Sequence, residues 1–131
     1  MQDWPVWTLS EANAAVAEVI ALTQKAIVEM ARLERVWQHV PFQAYDALRG
    51  ARREDLVRAD WARNIAALGV QPKGYFIVDF QSVDPDTLLC WSYGETAITH
   101  EHKVWETFID RRLISHPQLF ETTSDEPERD V

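Results

Sequence analysis

The sequence predicts an α+β protein: a long antiparallel helical hairpin, then a small antiparallel β-hairpin or three-stranded sheet, then an acidic disordered tail. Three observations carry that expectation. Apolar residues recur at alternating steps of three and four from Leu9 to Val40, the spacing that places one continuous seam along a helix. A second stripe of Val57, Trp61, Ile65 and Leu68 has the same period and stops at Gly69, a residue suited to ending a helix. Beyond Gly69 the texture changes to β-branched and aromatic runs parted by Asp84-Pro85-Asp86, a turn signal. One domain is expected over residues 1–120, with the hairpin at about 8–69, the β unit at about 74–114 and the tail at 121–131.

Residues 1–7 are expected to form an extended arm, because the residue before a proline, here Trp4 before Pro5, is steered away from helical backbone. Thr8-Leu9-Ser10-Glu11 has the form of a capping box, which makes Thr8 the N-cap. The seam that follows includes Val16, Val19, Met30, Leu33 and Trp37, and Ile20 and Ile27 widen it. An unbroken helix of that length is roughly 45 Å long, more than a compact domain of this size is wide. The seam residues Val16, Val19, Ile20, Ile27, Met30, Leu33 and Trp37 are therefore expected to meet a second copy of the chain. Pro41 is expected to break the helix or to start a new turn. Phe42, Tyr45 and Leu48 suggest a short separate helix interrupted by Gly50, with the second long helix running from about Glu54 to Leu68.

In the β unit, Gly74–Phe80 and Thr87–Tyr93 are predicted strands of one hairpin, and Thr96–Lys103 a third strand. Alternation along the third would put Ile98, His100, His102 and Val104 on one face. Residues 104–114 are expected to close the sheet as a short helix or irregular segment.

Composition removes several classes. The chain has 131 residues, 47% hydrophobic and 26% charged, ordinary for a globular domain. A single cysteine, Cys90, allows no intramolecular disulfide, and neither a signal-peptide pattern nor a bilayer-length apolar run is present, so a cytoplasmic protein without a membrane partner is expected. The net charge is −8. Through Lys73 nine basic residues balance nine acidic ones, and from Gly74 onward four face twelve. That half would repel phosphate, so no nucleic-acid partner is expected, and the basic run around Arg52 and Arg53 is read as a solvated helix face. Six tryptophans point to a heavy aromatic core.

A set of short motifs runs through the chain: Thr8-Leu9-x-Glu11-Ala12-Asn13, Val78-Asp79-Phe80, Leu89-Cys90-Trp91, Gly94-Glu95, Thr99-His100-x-His102, Phe108 and Arg111-Arg112. Together they resemble a bacterial family catalogued as domain of unknown function 2203, up to Ile114. The chain differs from that pattern in Glu101, between the histidines where the pattern has an aromatic, and in Thr107 and Asp110, where it has small residues. The resemblance implies a helical hairpin with a small β unit and implies no activity.

Chemistry concentrates in Asp79, Cys90, Glu95, His100, His102, Glu106 and Arg111. Two histidines two apart on a strand point the same way and can share a divalent metal ion such as zinc, with Glu106 and Cys90 completing the set. The same histidines could instead satisfy buried polar groups. Asp79 lies between Val78 and Phe80, and a buried carboxylate needs a partner; an Asp79–Arg111 ion pair is expected. No nucleophile elbow, phosphate loop or dinucleotide fingerprint is present, so no catalytic set can be named.

Three functions follow in order. The first is a self-associating helical interaction or scaffold module, which needs no coincidence of side chains. The second is a divalent-metal-binding protein or small metalloenzyme built on His100 and His102. The third is small-ligand binding in an aromatic pocket around Trp61, Tyr75, Trp91 and Trp105.

Overall fold

The computed structural model describes residues 3–38 and 44–122, without the side chains of 36–52. Two long helices, α1 (Leu9–Gln38) and α2 (Ala44–Ala67), precede a sheet of five strands: β1 (Gln71–Lys73), β2 (Ile77–Gln81), β3 (Thr87–Ser92), β4 (His100–Lys103) and β5 (Arg112–Leu113). The strands lie in sequence order and every neighbouring pair is antiparallel. The fold is α+β, with more sheet than a hairpin or three strands.

The capping box forms at the start of α1. The Thr8 N–H donates to Glu11 Oε1 at 2.9 Å, and the Glu11 N–H donates to Thr8 Oγ1 at 3.1 Å, which satisfies donors that the first helical turn leaves free. The three-four register then turns Leu9, Ala12, Val16, Val19 and Ala26 into the protein's own core, against Trp61 and Ile65 of α2 and Val78, Phe80, Leu89 and Trp91 of the sheet. Trp61 packs edge-on against Phe76. Its indole N–H donates to Thr23 Oγ1 at 2.9 Å, and that hydroxyl donates to the Val19 carbonyl at 2.7 Å. A buried threonine at a seam position is thereby kept without an orphaned polar atom.

The expected oligomer seam reads differently in three dimensions. Val16, Val19 and Leu33 are buried by the chain itself, Ile20, Ile27 and Met30 are half-buried, and Trp37 lies outside the described side chains. Val16 and Val19 belong to the core shared with α2 and the sheet, with Ile20 packed against it, so this part of the seam leaves water without a second copy. The expected short helix and the helix from Glu54 are one element, since α2 runs continuously through Gly50. A glycine inside a helix costs only about 1 kcal/mol relative to alanine, which flanking turns can outweigh. Val40, Pro41, Phe42 and the tail beyond residue 122 lie outside the described residues.

The first predicted strand, Gly74–Phe80, opens with a turn before β2, and β1 precedes it outside the predicted stretch. Gly74 and Phe76 both adopt positive φ, at 50° and 65°, and the chain reverses so that Gln71 pairs with Asp79 and Lys73 with Ile77. Left-handed backbone at a phenylalanine is uncommon; here the ring sits between Trp61 and Tyr75, both edge-on to it. The segment before His100 is not strand. Asn13 Oδ1 accepts the Ile98 N–H at 2.8 Å, and Ile98 joins the helix-side core, whereas His102 lies on the other face of the sheet with Asp79 and Cys90.

A candidate metal centre on the outer face of the sheet

Strand alternation divides the sheet into two chemistries. Val78, Phe80, Leu89 and Trp91 pack with the helices, so the residues that alternate with them, Asp79, Leu88 and Cys90, point the other way. Asp79 and Cys90 are direct cross-strand partners, and Leu88 is opposite His102. The segment after β4 folds back towards this outer face and brings the Arg111 guanidinium to 4.0 Å from Cys90 Sγ. Three groups that would each prefer water in an unfolded chain are thus buried together: Asp79 is 2%, Cys90 0% and His102 3% exposed.

Their donor atoms lie within 4.8 Å of one another. His102 Nε2 is 3.1 and 3.2 Å from the two oxygens of Asp79, reaching across β3 from β4 to β2. His102 Nδ1 is 2.8 Å from the Lys103 carbonyl oxygen. A carbonyl oxygen only accepts, so Nδ1 carries a proton. In a neutral ring Nε2 is then a lone pair facing two carboxylate oxygens, all of them acceptors. That arrangement requires a second proton or a cation between ring and carboxylate. A backbone carbonyl on one imidazole nitrogen is also how metal-binding histidines are oriented. Two ligands of a tetrahedral zinc, each at 2.0–2.1 Å, stand about 3.3 Å apart, close to the separations observed.

The surrounding charges are specific. Lys73 Nζ is 3.3 Å from Asp79 Oδ2 and its side chain is half-exposed. The Cys90 thiol is pushed up to about 12, first by burial and then by the adjacent Asp79 charge and hydrogen bond, with Arg111 opposing. Burial also works to raise Glu95, but the Arg111 hydrogen bonds, the Ser92 N–H and the nearby positive charges outweigh it and leave the carboxyl below its ordinary range. Arg111 holds Glu95 through two contacts of 3.2 and 2.7 Å, the paired geometry that suits a guanidinium. A cavity of about 330 Å³ opens onto Asp79 and His102, and Lys73, Ile77, Glu106 and Phe108 complete most of its wall.

Of the four residues expected to hold a metal, the fold brings together two, Cys90 and His102, and supplies Asp79 as the third. His100 Nδ1 lies 2.9 Å from Thr99 Oγ1 and 3.8 Å from Glu95 Oε2, so it belongs to the Glu95–Arg111 cluster. Glu106 closes its own turn by accepting the Lys103 N–H at 2.7 Å, and it also pairs with Arg112. The expected Asp79–Arg111 ion pair does not form: Asp79 is matched by His102 and Lys73, and Arg111 by Glu95. Lys73 carried no signal in the sequence, because its strand is only Gln71-Pro72-Lys73 and the turn at Gly74 reads as the start of the next strand. The aromatic pocket is also dispersed. Trp91 is buried on the helix side, Trp61 packs on Phe76, and Tyr75 and Trp105 are exposed.

Among the described residues, no helix is long and apolar enough to cross a membrane. No curated protein and no solved structure matches the chain. The model of one family matches residues 5–114, a span that takes in α1, α2, the whole sheet and every residue of the buried cluster, and the chain belongs to that family, described as Uncharacterized conserved protein (DUF2203).

Proposed function

We propose that the protein is a divalent-metal-binding protein whose ligands are Asp79, Cys90 and His102, with zinc the ion best suited to a carboxylate, thiolate and imidazole set. The observation that carries this reading is the convergence of three buried donors within 4.8 Å, with His102 Nδ1 already committed to a backbone carbonyl. The ion would take the place of the proton that the His102–Asp79 contact otherwise demands, and the half-exposed Lys73 can swing aside. A thiolate ligand requires the Cys90 proton to leave, as metal binding to cysteine generally does. A single buried thiol also suits the reducing cytoplasm, where we place the protein.

The test is elemental analysis of full-length protein prepared without a histidine tag, followed by thermal unfolding with and without chelator. About one zinc per chain is expected, with a fall in Tm on chelation and loss of the ion in Cys90→Ser and His102→Ala. Protein that stays metal-free after incubation with zinc would overturn the reading.

Self-association is a second reading, in which an antiparallel helical hairpin pairs through its outer surface rather than through the seam. Its support is the exposure of Val28, at 65%, and Leu56, at 68%; Leu56 also lines a groove between α1 and α2 with Leu22, Ala26 and Val57. Light scattering at micromolar concentration tests it, and a monomer mass at all concentrations removes it.

A further inference from the structure

We infer that this metal centre is open, and that its free coordination position takes the carboxylate of a small organic acid whose second oxygen is held by Lys73. The inference rests on the metal reading above and adds a ligand to it.

The donor count comes first. Three groups converge, and a tetrahedral ion has four positions. Two nearby groups that could fill the fourth are engaged elsewhere. Glu106 lines the same cavity, but its carboxylate accepts the Lys103 N–H and two contacts from Arg112 at 2.7 and 2.8 Å. His100 lies with Thr99 and Glu95. The fourth position is therefore left to a molecule from outside, and a route exists, because Asp79 and His102 both line the 330 Å³ cavity.

Charge then selects the kind of molecule. A divalent ion is neutralised by the Asp79 carboxylate and the Cys90 thiolate, with His102 neutral. Glu106 is balanced by Arg112. Lys73 remains as one positive charge, and once Asp79 turns an oxygen to the metal, the ammonium 3.3 Å from that carboxylate loses part of its partner. The site as a whole carries a single positive charge at the mouth of a small cavity and favours a monoanion. One oxygen on the ion and its twin on an ammonium a few ångströms away is a bridging geometry that a carboxylate matches. Ile77 and Phe108 supply the apolar wall, which suits a short hydrocarbon or ring behind the carboxylate, and the volume sits at the lower end of small-molecule sites.

The test uses the full-length protein loaded with cobalt(II), an ion that reports on zinc sites through its visible bands. A thiolate-to-cobalt charge-transfer band that is missing in Cys90→Ser establishes the metal centre independently of any anion. Propionate is then titrated in, with chloride as the ionic-strength control. A saturable change in the visible bands with propionate and not with chloride is expected, with affinity weakened about tenfold in Lys73→Met and largely kept in Lys73→Arg. The half-exposed side chain of Lys73 makes both variants compatible with folding. A charge-transfer band accompanied by visible bands indifferent to propionate would overturn the open-site inference and leave the metal centre standing, as would equal affinities in Lys73→Met and the parent protein. Absence of the charge-transfer band would overturn the metal reading and this inference with it.

Discussion

The imidazole of His102 faces the carboxylate of Asp79 with Nε2 3.1 and 3.2 Å from its two oxygens, while the opposite ring nitrogen is held by the Lys103 carbonyl. Both residues are nearly inaccessible to water. An uncompensated charge at such a site is expensive, because burial has stripped most of its hydration. The pair is therefore coupled: whatever removes one member strands the other.

His102→Ala is expected to destabilise the chelator-treated protein by about 3 kcal/mol, the usual cost of leaving one half of a buried pair unmatched. Urea unfolding in the presence of chelator measures it. A loss under 1 kcal/mol would mean that Lys73 alone satisfies Asp79.

Cys90 is expected to resist alkylation in the native protein. With its thiol pushed up to about 12 by burial, little thiolate exists at neutral pH, and the sulfur is buried. Iodoacetamide labelling followed by mass spectrometry should show modification only at denaturant concentrations that unfold the chain. Rapid labelling of folded protein would contradict the burial of β3.

Glu95 links acid stability to the Arg111 contact. Its folded value lies below its ordinary one, so its contribution is fully present above the ordinary glutamate range, near pH 4.3, and is lost as pH falls through the lower folded value. Glu95→Gln should cost about 2 kcal/mol at pH 7, and the gap to the parent protein should close towards pH 3. Unfolding curves of both proteins across that range decide it; a gap independent of pH would assign the loss to packing.

Ile65→Ala removes a side chain with no exposure from the contact of α2 with α1 and the sheet, and about 2–5 kcal/mol of stability should go with it. Val28→Glu, on the outer face of α1, should change stability by no more than about 0.5 kcal/mol. If the chain self-associates through that face, Val28→Glu shifts the mass seen by light scattering while the unfolding curve stays put. If the seam were the interface, Val19→Asp would yield a folded monomer; the fold instead predicts an unfolded chain.

Much of the architecture was legible because it is local. The capping box at Thr8 and Glu11, the seam from Leu9 to Leu33, the stripe of Trp61 and Ile65 and the strand at Thr87–Ser92 each announce themselves within a few residues, through helical or alternating periodicity. Gly50 misled because a single unfavourable residue is cheap inside a long helix. Gly74-Tyr75-Phe76 misled because aromatic content reads as strand, whereas positive φ at both ends of the triplet makes a turn. β5 is too short to have a pattern, and its pairing with His100 and Glu101 gives it its identity. For the site, Cys90 and His102 could be singled out by residue type, and Asp79 could be marked as a carboxylate in need of a partner.

Which partner it has was settled by the register that sets Asp79 beside Cys90 and carries His102 across β3, and by the turn at Gly74 that delivers Lys73. The sequence by itself determined which residues leave water and which segments curl or extend, since those follow from neighbours along the chain. The meeting of Asp79, Cys90 and His102, and the division of the two arginines between Glu95 and Glu106, belongs to the tertiary structure. Pairing across strands depends on residues from 11 to 23 positions apart, whose approach is fixed by the packing of the whole sheet against its helices.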